Sequence, residues 1–375
     1  MQLGAVVMLG AAGHTPQETL VLEAQRAASI DLCKLIQAHV PAQLILSSPE
    51  LTWFPGDMNA NLVLDPADEP FHFGQRLAAL VQNAGLETLM YFGGGSAPLV
   101  DDQLMAMLVG LLVNSGDTGR ARIPSHIALA NNRHSSDWVC ISNVQDALAI
   151  IQANRRDNSL AWALQESGLF DVRIPAGLRP ATSMDLDTPV DLAIIRQHPE
   201  CPAHLRAALQ TPALDAIPLR ETLQVLHTEG AHIALIGRVS PLAWQALSKA
   251  TQCWLRVYSE ERGMVAAERL ARGEVKSLLG DLLRVQGTAA FFDTLAGMVD
   301  AAIIDSRVMM AAYQGELPSR ADRFAADLFQ IDAIEDDWLR GFTQAAYDAP
   351  IPIVMGGHNL VSGGLYALSE IIERG

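Results

Sequence analysis

The chain has 375 residues and is poor in several things, each of which narrows its chemistry. It has four cysteines, Cys33, Cys140, Cys201 and Cys253, and no CxxC pair, so neither a zinc site nor a disulfide framework is indicated. Thiols scattered in this way read as buried or incidental side chains in a reducing compartment. Basic residues are scarce: 26 Lys and Arg stand against 42 Asp and Glu, for a formal net charge of −16. That balance speaks against nucleic acid, whose binding depends on neutralising phosphates, and against anionic membrane surfaces. Its simplest consequence is solubility. Long apolar runs are missing as well. The longest, residues 104–113, is too short for a bilayer. No basic residue precedes the apolar run at 2–9, which therefore reads as a first strand and not as a signal peptide. A cytoplasmic location is expected.

What is present suffices for a large core. Half the residues are hydrophobic and 18% are charged, and the length suits two domains. The stretch around which the rest is organised is residues 89–102. An apolar run, Leu89 to Phe92, stops at Gly93, Gly94 and Gly95; Ser96-Ala97-Pro98 turns the chain, and Asp101 and Asp102 precede an apolar helix pattern. The run has the length of a strand buried on both faces. Three glycines allow a tight turn and a close approach to a ligand. Strand, glycine turn and helix together place a binding site at the carboxyl end of a parallel sheet. A plain tight connection between strand and helix fits the same residues.

Along the chain, strands are expected at 3–9, 43–46, 61–64, 126–130, 138–141 and 170–174, alternating with helices. Thr15-Pro16-Gln17-Glu18 and Ser142-Asn143-Val144-Gln145 read as capping boxes. Residues 115–122 and 131–137 read as polar loops. The alternation predicts a mostly parallel sheet covered on both faces. Residues 198–218 carry four prolines and read as a linker with a short helix near 203–209. A second α/β pattern follows. Its strands are expected at 231–236, 254–258, 301–304 and 351–354, and a helical stretch runs from 265 to 299, broken near Gly273 and Gly287. The expected domains are therefore 1–197, a linker at 198–218, and 219–375.

Tyr91-Phe92-Gly93-Gly94-Gly95-Ser96-Ala97-Pro98-Leu99 and Asp185-Leu186-Asp187-Thr188-Pro189-Val190-Asp191-Leu192 together resemble the nucleotidyltransferases of the nucleotide-diphospho-sugar transferase fold. The motifs are similar to those of the molybdenum-cofactor guanylyltransferases and the 2-phospholactate guanylyltransferases. Phe73-Gly74-Gln75-Arg76-Leu77 is similar to those enzymes too, and the resemblance covers residues 1–200. It implies an α/β, Rossmann-like, mostly parallel first domain, followed here by a second, smaller α/β domain. It also implies transfer of a nucleotide from a nucleoside triphosphate to a phosphorylated small molecule. Magnesium would be held by carboxylates, a hard cation suited to phosphates. The resemblance assigns Gly10, Gly13, Gly93, Gly94, Gly95 and Ser96 to the nucleotide and Asp185 and Asp187 to the metal.

Two departures stand out. Ser96 and Ala97 occupy the place of an acid, and residues 10–25 contain no Arg or Lys to meet a triphosphate. A non-catalytic nucleotide-sensing or scaffold role is therefore the alternative. Asp101 and Asp102 read as partners of the next helix dipole. Asp187-Thr188-Pro189 reads equally as a helix N-cap. His14 and His134 read as polar loop residues before general bases.

The second half resembles no family. Four loops follow its expected strands and carry Arg238, Arg262, Asp305, Arg307, Gly357, His358 and Asn359. In a parallel sheet these loops share one edge, where forked guanidinium donors suit a carboxylate or phosphate. Surface salt bridges and glycine turns account for the same residues. Catalysis seated in this half, using Asp305 and His358, is a further alternative. The partners expected are a nucleotide and a small phosphorylated metabolite, with no nucleic acid and no membrane. A homo-oligomer is compatible with the sequence.

Overall fold

The computed structural model describes residues 2–10, 13–39, 43–67, 69–113, 126–175, 179–265 and 267–374. The polar loop expected at 115–122 lies outside them. The chain divides into two compact units. The first comprises 1–12, 23–185 and 202–205, and the second 13–22, 186–201 and 206–375.

Seven strands of the first unit, among the described residues, form one sheet. They are β1 (Leu3–Met8), β2 (Gln43–Ser48), β3 (Asn61–Leu64), β4 (Thr88–Gly93), β5 (Ile127–Ala130), β6 (Trp138–Ile141) and β7 (Asp171–Arg173), in the order β3-β2-β1-β4-β6-β5-β7. β4 shows why its sequence is an unbroken apolar run. Leu89 and Tyr91 enter one core with Val6 and Leu77, while Met90 and Phe92 enter the other with Val7 and Ile36. A strand with helices on both faces has no side left for water.

The sheet is mostly parallel, with one exception. β6 runs antiparallel to both neighbours, β4 and β5. The hairpin between β5 and β6 explains the reversal. The Asn131 side chain accepts the Asp137 backbone N–H and donates to its carboxylate, and Asn132 Oδ1 accepts the N–H groups of His134 and Ser135. Asparagines closing their own backbone in this way make a tight turn. A second correction concerns Ser142. Its hydroxyl does not cap the helix Val144–Ala153 but accepts the Ile127 N–H at 2.8 Å, and Asn143 enters the helix from the left-handed region at φ 49°.

The second unit holds a parallel sheet of β8 (His232–Gly237), β9 (Trp254–Ser259), β10 (Ala301–Asp305) and β11 (Ile353–Gly356), in the order β11-β10-β8-β9. Ala234, Ile236, Ala302, Ile304, Ile353 and Met355 pack on one face against Phe291, Phe292 and Phe342. The helical stretch expected at 265–299 is shorter: helices Leu278–Gln286 and Thr288–Ala296 meet at Gly287, whose φ of 82° ends one and starts the other. Thr15 and Glu18 form the expected capping box. All four cysteines are free. Among the described residues no helix is long and apolar enough to cross a membrane.

Candidate functional site

In the first unit the corner after β4 brings the late motif to the glycines. Ser96 and Asp185 pair as an isolated antiparallel bridge. The three glycines are there for different reasons. A Cβ on Gly94 would sit 2.3 Å from the Leu9 side chain, and Gly94 N–H donates to the Met8 carbonyl at 2.7 Å. Gly95 has φ 83°, and a Cβ there would meet Gln25 at 2.6 Å. Close backbone packing thus accounts for both. At Gly93 a Cβ would make only ordinary contacts, with the Asp137 carbonyl, Asp157 Oδ2 and the Tyr91 hydroxyl. Ala97 follows in the left-handed region at φ 47°, a costly conformation for alanine.

The side chain of Ser96 is committed locally. It is buried and donates to the Gly93 carbonyl at 2.7 Å. Tyr91, a residue the sequence reading did not single out, places its hydroxyl beside Gly93. Burial lifts the phenol well above its ordinary range, and the charges of Asp157, Asp185 and Asp137 add to the shift. Gly10 is exposed, with nothing among the described residues within 4 Å of a would-be Cβ. Gly13 belongs to the second unit, where a Cβ would strike Glu18.

Asp185 is half-buried; Asp187 is exposed and falls in the second unit. There Thr188 and Pro189 start the helix Pro189–Gln197, so the capping role expected of this segment is present. Its acceptor is Asp191. One carboxylate oxygen takes the N–H of Asp187 (3.1 Å), the N–H of Thr188 (2.8 Å) and the Thr188 hydroxyl (2.8 Å). Asp191 is fully buried, and burial, aided by the charge of Asp187, pushes its carboxyl up to about 8.

A magnesium site needs several carboxylate or water oxygens around one point. Among the described residues no group of three or more His, Cys, Asp or Glu side chains is placed to hold a metal ion. Asp185 and Asp187 supply two carboxylates, and magnesium is often held by one or two together with waters and substrate phosphates.

The second unit gathers most of its expected residues at one edge. In a sheet ordered β11-β10-β8-β9, the connections from β8 to β9 and from β10 to β11 leave in opposite directions, and the crevice between the carboxyl ends of β8 and β10 is the switch point. Gly237 ends β8 with φ 113°, and a Cβ there would sit 2.5 Å from that of Asp305. This close approach brings Arg238 onto Asp305. Arg238 Nε and Nη2 donate to the two carboxylate oxygens at 2.6 and 3.0 Å, and its backbone N–H adds a third bond. Burial opposes ionisation of Asp305, yet the Arg238 guanidinium and the neighbouring His358 hold its carboxyl below the usual value. A carboxylate clasped in this way is a positioning group for Arg238.

Arg307 is buried and donates to Asp327 at 2.5 Å and to the Ser306 hydroxyl at 3.2 Å. Burial, followed by the charge of Arg238, pushes the His358 imidazole down to about 4, so it is neutral at pH 7. Among the described residues its buried Nε2 has no hydrogen-bond partner. Arg262 is exposed. Gly357 and Asn359 are buried in the same loop.

Two residues here escaped the sequence reading, Arg323 and Asp327, both on the helix Arg320–Asp327. For Arg323 the signal was a weak one, a cation in a first turn where the helix dipole disfavours it, and Asp327 carried none.

No protein-family model matches the chain, and no curated protein matches it. Similar solved structures include the bifunctional IspDF from Campylobacter jejuni, with a TM-score of 0.34 and 14% identity over 51% of this chain and 53% of that one. The Rv0371C complex with manganese from Mycobacterium tuberculosis H37Rv has a TM-score of 0.33 and 16% identity over 56% of this chain and 98% of that one. CMP:2-keto-3-deoxy-manno-octonic acid synthetase complexed with CTP has a TM-score of 0.34 and 12% identity over 51% of this chain and 96% of that one. This chain spans about half the length of the first of these. Likenesses of this degree establish no family for the chain.

Proposed function

We propose that this chain is a divergent nucleotidyltransferase-like protein. Its first unit binds a nucleoside triphosphate at the glycine corner after β4, and the nucleotide passes to a small phosphorylated acceptor. The observation that carries this reading is the bridge between Ser96 and Asp185, which joins the two segments on which the sequence resemblance rests. Gly93 supports it too, since packing alone does not demand glycine there. In this reading the backbone at 93–95 seats the base or ribose and Asp185 faces the ligand. The domain organisation it carries is 1–197 for the nucleotide, 198–218 as linker and 219–375 for the acceptor. No step is assigned to a cation held by this chain.

A second reading, a nucleotide sensor without transfer, is favoured by the lack of any Arg or Lys in residues 10–25. A thermal-shift series on the full chain with ATP, GTP, CTP and UTP, with and without MgCl2, tests both. A rise with one nucleotide, lost in Asp185→Asn, supports binding at the corner. Pyrophosphate release on adding phosphate esters then supports transfer, and binding without release supports the sensor. No response to any triphosphate ends both readings.

A further inference from the structure

We propose that the carboxyl edge of the second sheet binds a small phosphoryl anion, held by Arg262, Arg323 and His358, with Arg238 and Arg307 locked in place around it by Asp305 and Asp327. The site does not depend on what the first unit binds.

Not every cation at this edge is paired. Four guanidinium groups, on Arg238, Arg262, Arg307 and Arg323, stand against the carboxylates of Asp305 and Asp327. Asp305 is spent on Arg238 and Asp327 on Arg307. Glu260, the other acid that senses Asp305, is turned to the Ser277 hydroxyl at 2.6 Å, and burial pushes its carboxyl up. Glu261 is spent on Arg269 and Glu18 on Arg320. Arg262 and Arg323 are thus left without an ion-pair partner among the described residues, while Asp322, beside Arg323 on its helix, accepts only backbone N–H groups.

Arg323 bonds only the Ser319 carbonyl, through Nε at 3.4 Å, and Arg262 makes no hydrogen bond or ion pair among the described residues. Burial, followed by the charges of Arg307, Arg320 and Arg238, pulls Arg323 down to about 10. Burial is the largest cause, and among the charges that act on it Arg307, Arg320 and Arg238 outnumber Asp327. A purely structural network closes its charges upon itself, since a buried unpaired cation is destabilising.

The geometry selects the ligand. Arg262 comes from the loop after β9, Arg323 from the helix Arg320–Asp327, and His358 from the loop after β11. His358 is neutral and its buried Nε2 has no partner among the described residues, so it can offer one hydrogen bond without adding charge. A planar carboxylate is satisfied by one guanidinium fork. Donors arriving from three elements suit the several oxygens of a tetrahedral group. The place is also the one where open parallel sheets take ligands, at the strand-order switch between β8 and β10.

The phosphoryl group can arrive as free phosphate or as part of a phosphorylated metabolite. Calorimetric titration of the full chain with inorganic phosphate and with glycerol 3-phosphate, against NaCl at matched ionic strength, separates the sources. Saturable binding of either is expected. Equal affinities point to free phosphate, and a tighter monoester points to a metabolite. Arg323→Gln is expected to weaken binding at least tenfold. Arg262→Gln, at an exposed side chain whose loss cannot disturb folding, is expected to weaken it severalfold. Asp185→Asn in the first unit leaves it unchanged. Binding no stronger than with chloride, or binding retained in both arginine variants, or binding lost in Asp185→Asn, overturns the proposal.

Discussion

The corner after β4 and the edge after β8 and β10 both rely on a glycine driven against a neighbouring backbone, and they use that closeness for opposite ends. At β4, Gly94 and Gly95 let the chain fold back over Leu9 and Gln25, and Ser96 turns inward to the Gly93 carbonyl. Polar capacity there is largely consumed by the turn, and no arginine or lysine lies in the first-strand loop. At β8, Gly237 lets Arg238 reach Asp305, and the charges of Arg262 and Arg323 are left unspent. A glycine-rich turn is thus by itself a weak indication of a ligand. Unspent charge at a strand-order switch is a stronger one, because folding does not require it.

The sharpest way to break the comparison is at Asp305. Asp305→Asn leaves Arg238 without its counter-charge in a largely buried place, and a loss of about 3–5 kcal/mol is expected in urea denaturation. Asp185→Asn, at the half-buried acid of the other corner, is expected to cost under about 1 kcal/mol. Similar losses at both positions would mean that Asp185 too is part of the scaffold.

Next in size is the glycine contrast within the first unit. Gly95→Ala forces a side chain into φ 83° and against Gln25. Strain and overpacking together predict a loss of about 2–4 kcal/mol. Gly10→Ala, in open space, is expected to change thermal stability very little. A large loss at Gly10 would show that the first-strand loop is held as tightly as the corner.

How much of this was legible in the sequence follows from what each feature needed. β4 announced itself because burial on both faces forces an apolar run. The reversal of β6 did not, since the direction of a strand leaves no mark on its side chains and rests on the asparagine turn at 131–137. The helical stretch at 265–299 was overextended at its start, where the first helix begins only at Leu278, whereas the break near Gly287 was legible as a glycine and is present at φ 82°. The edge residues Arg238, Asp305, Arg307 and His358 were readable from strand ends. Arg323 and Asp327 were not, because charges on a helix read as a solvated face until the fold turns them toward a cluster. The pairing of Ser96 with Asp185 was not readable from spacing, as distant segments carry no sign of their contact without the fold.

An effect read in pH concerns Asp191. An unfolded Asp titrates near 4, and in the folded chain its carboxyl is raised to about 8. The folded state therefore binds the proton more tightly. Stability from this group is complete below about pH 4 and falls as pH rises toward 8, with a slope approaching about 1.4 kcal/mol per pH unit. Asp191→Asn retains an oxygen for the Asp187 and Thr188 donors and removes the ionisation. Urea denaturation from pH 5 to 9 should show the variant near wild type at pH 5, increasingly the more stable of the two toward pH 8, and with a flatter profile. Parallel profiles would remove Asp191 as the titrating group.

The smallest effect sharpens the charge argument. Glu18 is pulled down to about 2 by the hydrogen bond from Arg320 and then by the His14 backbone N–H. Arg320 is half exposed, so the pair is screened and contributes under about 1 kcal/mol. Its contribution is present above about pH 4 and is lost as pH falls through 2. Glu18→Gln should therefore shift the melting temperature only slightly at pH 7. The same change withdraws a negative charge from an arginine that presses on Arg323. Phosphate binding should then tighten by no more than about threefold, and the gain should shrink as salt is added. A variant that binds phosphate more weakly would mean that Glu18 holds the helix Arg320–Asp327 in the position the site needs, and that its charge matters less than its grip.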